Sequence, residues 1–349
     1  MSANAPIRLT EFSHGGGCGC KISPGVLAQM LACAPQMAIP AQLLVGTETS
    51  DDAAVYQLNA DQALVATTDF FTPIVDDPEH FGRIAATNAL SDVYAMGGRP
   101  ILALALVGMP LDKLPLDVIG RILAGGAAVC GEAGIVIAGG HSIDVLEPIY
   151  GLVALGVVHP QKVKRNCAAR AGDRLVLGKP LGIGILSAGL KKGLLSAGGY
   201  AEMLRWTTAL NTPGIALAEL EAVHAMTDVT GFGFAGHLLE ICRGSGLCAR
   251  VDFSALPLID EAAGLVQRGI ATGASGRNWA AYGGAVDMPA GAPDWHRKML
   301  ADPQTSGGLL VACAPEASAQ VLQIMHRAGM ERAAVVGELA DGPAGLVLA

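Results

Sequence analysis

The chain has 349 residues, of which 51% are hydrophobic and 15% charged, with a mean hydropathy of +0.44 and a net charge of −8. This length accommodates two domains, and the acidic balance without a basic run argues against a nucleic-acid partner. No apolar run reaches the ~18–20 residues of a membrane span, and the N-terminus lacks the apolar segment of a secretory signal, so we expect a cytoplasmic protein without a membrane partner.

Residues 1–48 predict a mobile N-terminal arm and a lead-in helix. The segment 14–21 contains four glycines, two thiols and a lysine. Because glycine frees the backbone, we expect this segment to fold over a site elsewhere in the chain. Residues 24–33 have helical character.

The rest of the chain mixes strands and helices, so we expect an α/β or α+β fold. In residues 49–160, the predicted strands are 53–58, 63–69, 101–109, 135–138 and 149–158, and the predicted helices are 81–96 and 116–133. A polar, basic junction at 159–171 leads to a second domain, 161–349. Its predicted strands include 173–178, 247–253, 309–313 and 333–339. The glycine-rich region 269–293 predicts no regular structure.

Several aspartates lie at predicted strand ends, turns or helix faces beside Thr, Ser or Gly. They are Asp51, Asp52, Asp69, Asp92 and Asp228. Alone, each would most often be a cap or a solvated turn residue. Mg²⁺ takes one or two carboxylates and completes its shell with water and phosphate oxygens, so this scatter favours a magnesium–nucleotide site over a Ca²⁺ cage. Asn88 lies four residues before Asp92 and shares its helix face.

The run Gly139-Gly140-His141-Ser142 is expected to form a turn after the strand 135–138. Backbone N–H groups in such a turn bind anions, although a purely structural tight turn is the simpler alternative. The chain has no G-x-x-x-x-G-K-[ST] sequence, which excludes a P-loop.

The pair Cys18 and Cys20 has three chemical interpretations. A structural zinc site would need four ligands, and only His14 lies nearby. A redox dithiol usually has the spacing Cys-x-x-Cys. A nucleophilic thiolate is favoured, because the neighbouring cation Lys21 would lower the thiol pKa, although Lys21 could equally clamp a phosphate.

These blocks together resemble the selenophosphate synthetases (selenide, water dikinases), a family within the aminoimidazole-ribonucleotide-synthetase-like ATP enzymes. The matching blocks are 14–21, 49–56, 67–71, 86–98, 139–144, 226–233 and 302–310. They occur in order along the chain, and the Cys-Gly-Cys-Lys arm distinguishes this family from its superfamily relatives.

The resemblance implies ATP-dependent synthesis of selenophosphate from selenide and water, with release of AMP and orthophosphate. It implies Mg²⁺, K⁺ as an activator, and a two-domain fold. The N-terminal domain would form a β-barrel at a homodimer interface, beside a C-terminal α+β domain. A selenium-delivery protein would be a further partner.

The same resemblance assigns site residues by position. Cys18 corresponds to the catalytic cysteine or selenocysteine and Lys21 to the essential lysine. The metal-binding positions are Asp52, Asp92 and Asp228. The nucleotide-binding positions are Lys21, Thr49, Ser50, Asp51, Asp69, Asn88, Asp92, Gly139, Gly140, His141 and Ser142.

Two alternatives remain open at this stage. The chain could be another ATP-dependent kinase or synthetase of the same superfamily, although the cysteine-bearing arm argues against it. It could also be a non-catalytic thiol- or metal-binding protein that uses Cys18 and Cys20, which would leave the aspartates unexplained.

Overall fold

A computed structural model describes residues 7–13, 15–22, 26–27, 29–30, 33, 38–47 and 51–349. Thr49 and Ser50, expected to contact nucleotide, lie outside these residues, as do His14 and much of the predicted lead-in helix. Among the described helices, none combines the length and hydrophobicity that a membrane crossing requires.

The first half of the chain forms a six-stranded sheet with the order β1-β2-β3-β6-β4-β5. The strands are β1 (Leu43–Val45), β2 (Ala54–Gln57), β3 (Ala63–Phe71), β4 (Arg99–Met109), β5 (Ile137–Asp144) and β6 (Ile149–Val158). Only β4 and β5 pair in parallel. Within one chain this sheet is open, with β1 and β5 at its edges.

Two helices cover this sheet. Helix α1 (Pro78–Ala95) packs on β3 and β6, and α2 (Leu116–Glu132) packs on α1. Asp77 caps α1 by accepting the backbone N–H of His80. Proline fits the first turn of a helix, so α1 begins three residues before the predicted start at Phe81. The helices cross closely, because a Cβ at Gly82 would lie 1.9 Å from the Ile122 carbonyl oxygen.

The second half forms a seven-stranded sheet with the order β10-β13-β9-β12-β7-β11-β8. Its strands are β7 (Arg174–Leu177), β8 (Val223–Asp228), β9 (Leu247–Val251), β10 (Val286–Asp287), β11 (Leu309–Cys313), β12 (Ala334–Asp341) and β13 (Gly345–Leu348). Its helices are α3 (Ile183–Lys191), α4 (Ala197–Thr207), α5 (Pro213–Ala218), α6 (Gly233–Ser245), α7 (Asp260–Gln267), α8 (Gly273–Tyr282), α9 (Asp294–Leu300) and α10 (Ser318–Arg327). Both halves therefore mix helices and sheet, as expected.

The prediction of irregular structure for 269–293 is wrong, because this region contains helix α8 and strand β10. Thr272 caps α8, and the buried positions Ala274, Asn278 and Tyr282 recur at helical spacing. Two residues of this buried face, Ser275 and Asn278, are polar, so a search for apolar periodicity overlooks it.

The predicted turn at Gly139-Gly140-His141-Ser142 is also wrong, because these residues lie inside β5, whose side chains are mostly exposed. A Cβ at Gly140 would lie 2.1 Å from the Ala105 carbonyl oxygen on the neighbouring β4. The need for glycine at this position therefore comes from close strand packing rather than from a tight turn.

Candidate active site

Three aspartates from different elements meet where the two halves of the chain are in contact. Asp52 precedes β2, Asp92 lies on α1, and Asp228 ends β8 in the second sheet. One carboxylate oxygen from each lies within 4.8 Å of the others. The structure therefore brings together the three predicted metal-binding positions.

Hydroxyl side chains support each carboxylate of this aspartate cluster. The contacts are Thr67 Oγ1 to Asp92 Oδ2 (2.5 Å), Thr227 Oγ1 to Asp52 Oδ1 (2.8 Å) and Ser91 Oγ to Asp228 Oδ2. The other oxygen of Asp52, Oδ2, is buried without a hydrogen-bond partner in the described part of the chain. A buried polar atom of this kind normally has a partner, and a bound cation would supply one.

Burial raises the pKa of Asp52, Asp92 and Asp228 above the ordinary aspartate range. At Asp52 and Asp92 the neighbouring Asp228 carboxylate raises the pKa further. A divalent cation would relieve this repulsion. Carboxylate oxygens with room for phosphate and water oxygens are the ligands that Mg²⁺ prefers, so the residues present fit this ion.

The N-terminal arm lies directly over α1. Cys18 is 1% exposed, and its backbone N–H donates to Thr305 Oγ1 at 3.1 Å. Its Sγ lies 3.2 Å from Asn88 Oδ1. Lys21 Nζ donates to Asp69 Oδ2 at 3.1 Å. The arm thus delivers Cys18 and Lys21 to side chains that the sequence placed in the nucleotide site.

Both halves of the protein contact the arm. The N–H of Gly17 donates to the Thr72 carbonyl at the end of β3, and Arg277 on α8 donates to the Gly19 carbonyl. Gly231, which follows β8, packs on the arm so closely that a Cβ there would lie 2.9 Å from Lys21 Cδ. The arm therefore bridges the two halves of the chain.

In the closed arm, burial works against the thiolate interpretation of Cys18. Burial raises the pKa of Cys18 far above its ordinary value, and the opposing effect of Lys21 is smaller. For Lys21, burial lowers the pKa, but Asp69, Cys18 and Asp92 more than compensate, so the net direction is upward. In the closed arm, burial thus favours the neutral thiol at Cys18, and the neighbouring acidic groups favour the ammonium form of Lys21.

Thr305 and Ser306 had no expected role from the sequence, yet Thr305 contacts the arm and Ser306 contacts Asn88. Both lie in the polar run before β11, and Ser306 adopts the left-handed conformation with φ of 52°. Beneath this loop, Lys179 Nζ donates to the Ser306 carbonyl at 2.8 Å. Burial lowers the pKa of Lys179 to about 7. The polar run Gln304-Thr305-Ser306 between apolar segments was the available sequence signal.

Only some of the remaining predicted nucleotide-binding positions lie near the arm. Asp69 and Asn88 join the arm, whereas Asp51 Oδ1 accepts the backbone N–H of Asn166 from the junction between the halves. Gly139 to Ser142 lie on β5, which β6 and β4 separate from β3 in the sheet. The structure of one chain does not bring them to the aspartate cluster.

Family comparisons agree with this architecture. Residues 50–158 match the AIR synthase related protein N-terminal domain, and residues 170–348 match the corresponding C-terminal domain. Among solved structures, thiamine-monophosphate kinase from Stenotrophomonas maltophilia K279a is similar in fold, with a TM-score of 0.66 at 21% identity over 93% of this chain and 94% of that one. The hydrogenase maturation protein HypE in complex with ATP gives a TM-score of 0.61 at 20% identity, over 86% of this chain and 85% of that one.

Curated relatives are much closer in sequence. The selenide, water dikinase of Burkholderia pseudomallei (strain K96243) is 66% identical over 98% of this chain and 96% of its own length. The protein of the same name from Dechloromonas aromatica (strain RCB) is 61% identical over 97% of this chain and 98% of its own length. The chain therefore belongs to the selenide, water dikinase family of AIR-synthase-related phosphotransferases.

Proposed function

We propose that the chain makes selenophosphate from selenide, ATP and water, and releases AMP and orthophosphate. The observation that carries this proposal is the seating of Cys18 and Lys21 on an arm beside the cluster of three aspartates. The names of the close relatives support the same reaction. AMP as a product requires two phosphoryl transfers, the first to selenide and the second, from bound ADP, to water.

The aspartate cluster would hold Mg²⁺, which supplies charge neutralisation for the triphosphate. Phosphoryl transfer depends mainly on positioning and on electrostatic stabilisation of the transferring group. The Lys21 ammonium would add positive charge beside that group, and Asp69 holds its position at 3.1 Å. The closed arm would exclude water during the first transfer, with Cys18 facing the selenium species.

We propose that the protein works as a homodimer. The edge strand β5 and the exposed apolar side chains Phe70, Ile101 and Ile143 on β3, β4 and β5 support an interface on this sheet. Two such open sheets would together close the expected barrel. Because β5 lies apart from the aspartate cluster of its own chain, Gly139 to Ser142 would contact nucleotide bound in the partner.

The remaining parts of the proposal rest on the sequence and its resemblance to the family. They are the division into an arm (1–48), an ATP- and Mg²⁺-binding domain (49–160) and a C-terminal domain (161–349), activation by K⁺, a selenium-delivery partner, cytoplasmic location, and nucleotide contacts from Thr49, Ser50 and Asp51.

Phosphorus NMR of the protein with ATP, Mg²⁺ and selenide tests the reaction. Selenophosphate, AMP and orthophosphate are expected together and in equal amounts. ADP as the end product would instead indicate a single-transfer kinase of the same superfamily and would overturn the proposal.

Replacing Cys18 with serine is expected to lower selenide-dependent AMP formation by at least about 100-fold. A serine hydroxyl can still donate to Asn88 Oδ1, so this change removes the sulfur and little else. The matched control is Cys33→Ser, which removes an exposed thiol and should retain wild-type turnover. Near-normal AMP formation by Cys18→Ser would remove this thiol from the mechanism.

Lys21→Ala is expected to lower turnover by about 10²–10³-fold, because one charged group that stabilises the transferring phosphoryl is lost. Nucleotide binding should be partly retained, since the aspartate cluster is untouched. Steady-state AMP formation and calorimetric ATP binding separate the two effects. The surface variant Lys162→Ala serves as the control, because Lys162 pairs with Glu219 away from the arm.

A further inference from the structure

Two hydrogen bonds orient the side-chain amide of Asn88, which is fully buried. Its Nδ2 donates to Asp69 Oδ2 at 2.6 Å, and its Oδ1 accepts the backbone N–H of Ser306 at 2.8 Å. A backbone N–H only donates, and the same Asp69 oxygen also accepts from Lys21. Rotating the amide would place donor against donor and oxygen against carboxylate. Its orientation is therefore set by its neighbours.

The loop that carries the Ser306 N–H is itself anchored. Ser306 has a φ of 52°, a conformation that non-glycine residues avoid. Its Oγ donates to the Ile84 carbonyl on α1 at 3.1 Å, and its carbonyl accepts from Lys179 at 2.8 Å. The direction of this N–H, and hence the orientation of the Asn88 amide, is thus determined by the fold.

This orientation turns the Asn88 carbonyl oxygen toward the Cys18 sulfur, at 3.2 Å. Only a protonated thiol can donate to that oxygen, because an ionised sulfur would face a second acceptor. We propose that Asn88 is a positioning residue that keeps Cys18 a neutral thiol while the arm is closed, so that Cys18 ionises only when this contact breaks. This inference rests on the proposed function in so far as Cys18 is the selenium-facing thiol.

Taken together, the other groups around Cys18 also favour the neutral thiol. Lys21 favours the ionised thiol, whereas Asp69 and Cys20 disfavour it, and burial disfavours it most, so that the pKa of Cys18 is raised. Among the described residues, Thr305 and Gly231 also lie beside Cys18; neither carries a charge, and the hydrogen bond with Thr305 has a smaller, opposing effect on the pKa. Hydrogen bonding to the neutral form of an acid adds to such a rise.

Alkylation of Cys18 by iodoacetamide, measured against pH by mass spectrometry, tests this role. The full-length protein carries Cys20→Ser, so that one thiol remains in the arm, and neither ATP nor selenide is added. For Asn88→Ala, the pH midpoint of the rate should fall by about one unit, which raises the rate at pH 8 about tenfold. The matched control Thr87→Ala removes a neighbouring buried hydrogen bond, from Thr87 Oγ1 to the Arg83 carbonyl within α1, and should keep the wild-type midpoint.

A merely structural role for Asn88 predicts a different result. If the alkylation rate of Asn88→Ala rises equally at every pH and the midpoint stays unchanged, Asn88 only helps to close the arm and the proposal is overturned. Should that variant fail to fold, the infrared difference spectrum between wild type and Cys18→Ala decides. An S–H band of undiminished intensity at pH 9 supports the proposal, and a band that is weakened or lost by pH 9 contradicts it. Neither assay involves turnover, so failure here leaves the proposed function standing.

Discussion

Replacing Asp52 with asparagine is expected to stabilise the metal-free protein and to lower its turnover. Two full charges within 4.8 Å of each other repel by at least about 3 kcal/mol at an effective dielectric constant of about 20, and burial adds to the cost. The new amide could donate to the neighbouring carboxylates from the place of the unpartnered Asp52 Oδ2. We expect a gain of about 1 kcal/mol, or about 2 °C in melting temperature.

Turnover should fall by more than the roughly 10–100-fold that is typical when a residue that orients a metal ligand, without binding the metal itself, is replaced. Melting temperatures with and without Mg²⁺, together with AMP formation, measure both effects. Mg²⁺ should stabilise the wild type and have little effect on Asp52→Asn. The control is Asp61→Asn, at a side chain that is 87% exposed, where a change within about 0.5 kcal/mol is expected. A metal-free Asp52→Asn protein less stable than wild type would contradict the repulsion argument.

The same cluster makes the stability of the metal-free protein depend on pH. Because folding raises the pKa of Asp52, Asp92 and Asp228, the folded protein binds more protons than the unfolded chain above the ordinary value of 3.8. This stabilisation is present below that value and is lost as the pH rises through the raised values. Burial also raises the pKa of Asp302, to about 8. Asp302 therefore adds a loss of stability with rising pH, and the Asp52→Asn variant should still show this part of the loss.

Replacing Gly17 with alanine is expected to prevent the arm from closing and to lower turnover by at least about 100-fold, since small misplacements of reacting groups have effects of this size. Gly17 has a φ of 55°, and a Cβ there would lie 2.3 Å from Ile74 Cγ2 and 2.4 Å from Thr305 Oγ1. Cys18 and Lys21 would then both lose their contacts with Thr305, Asn88 and Asp69. Stabilisation by Mg²⁺ should persist, because the aspartate cluster is unchanged.

Gly19→Ala is the matched control for Gly17→Ala. It adds the same methyl group to the same arm, but the nearest atoms would lie 3.7 Å and 3.9 Å away, which is ordinary contact. We expect wild-type turnover from this variant. Equal losses from both substitutions would show that the arm needs glycine for freedom of movement rather than for the fit at Gly17.

Local spacing was sufficient to predict α1 and to single out the aspartates that the structure brings together. Apolar residues at helical spacing indicated the helix that carries Asp92, and a short strand ending in polar residues indicated Asp69. Asp228 was expected in a turn and instead ends β8. The same reasoning failed for α8, whose buried face is polar, and for 139–142, where glycines indicated a turn but serve close strand packing. Glycine relieves crowding in both settings, and sequence alone does not distinguish them.

The sequence by itself determined which reactive groups this protein possesses: a thiol and a lysine on a glycine-rich arm, and aspartates suited to Mg²⁺. Only the tertiary structure decided their state. Cys18 and Thr305 are 287 residues apart in the chain and yet form a hydrogen bond, and the neutral thiol follows from burial beneath that contact and from the orientation of Asn88. Residue type and spacing indicate interactions within one element. Protonation depends instead on the charged and polar groups around an atom, which come from distant parts of the chain, and on how far the atom is shielded from water.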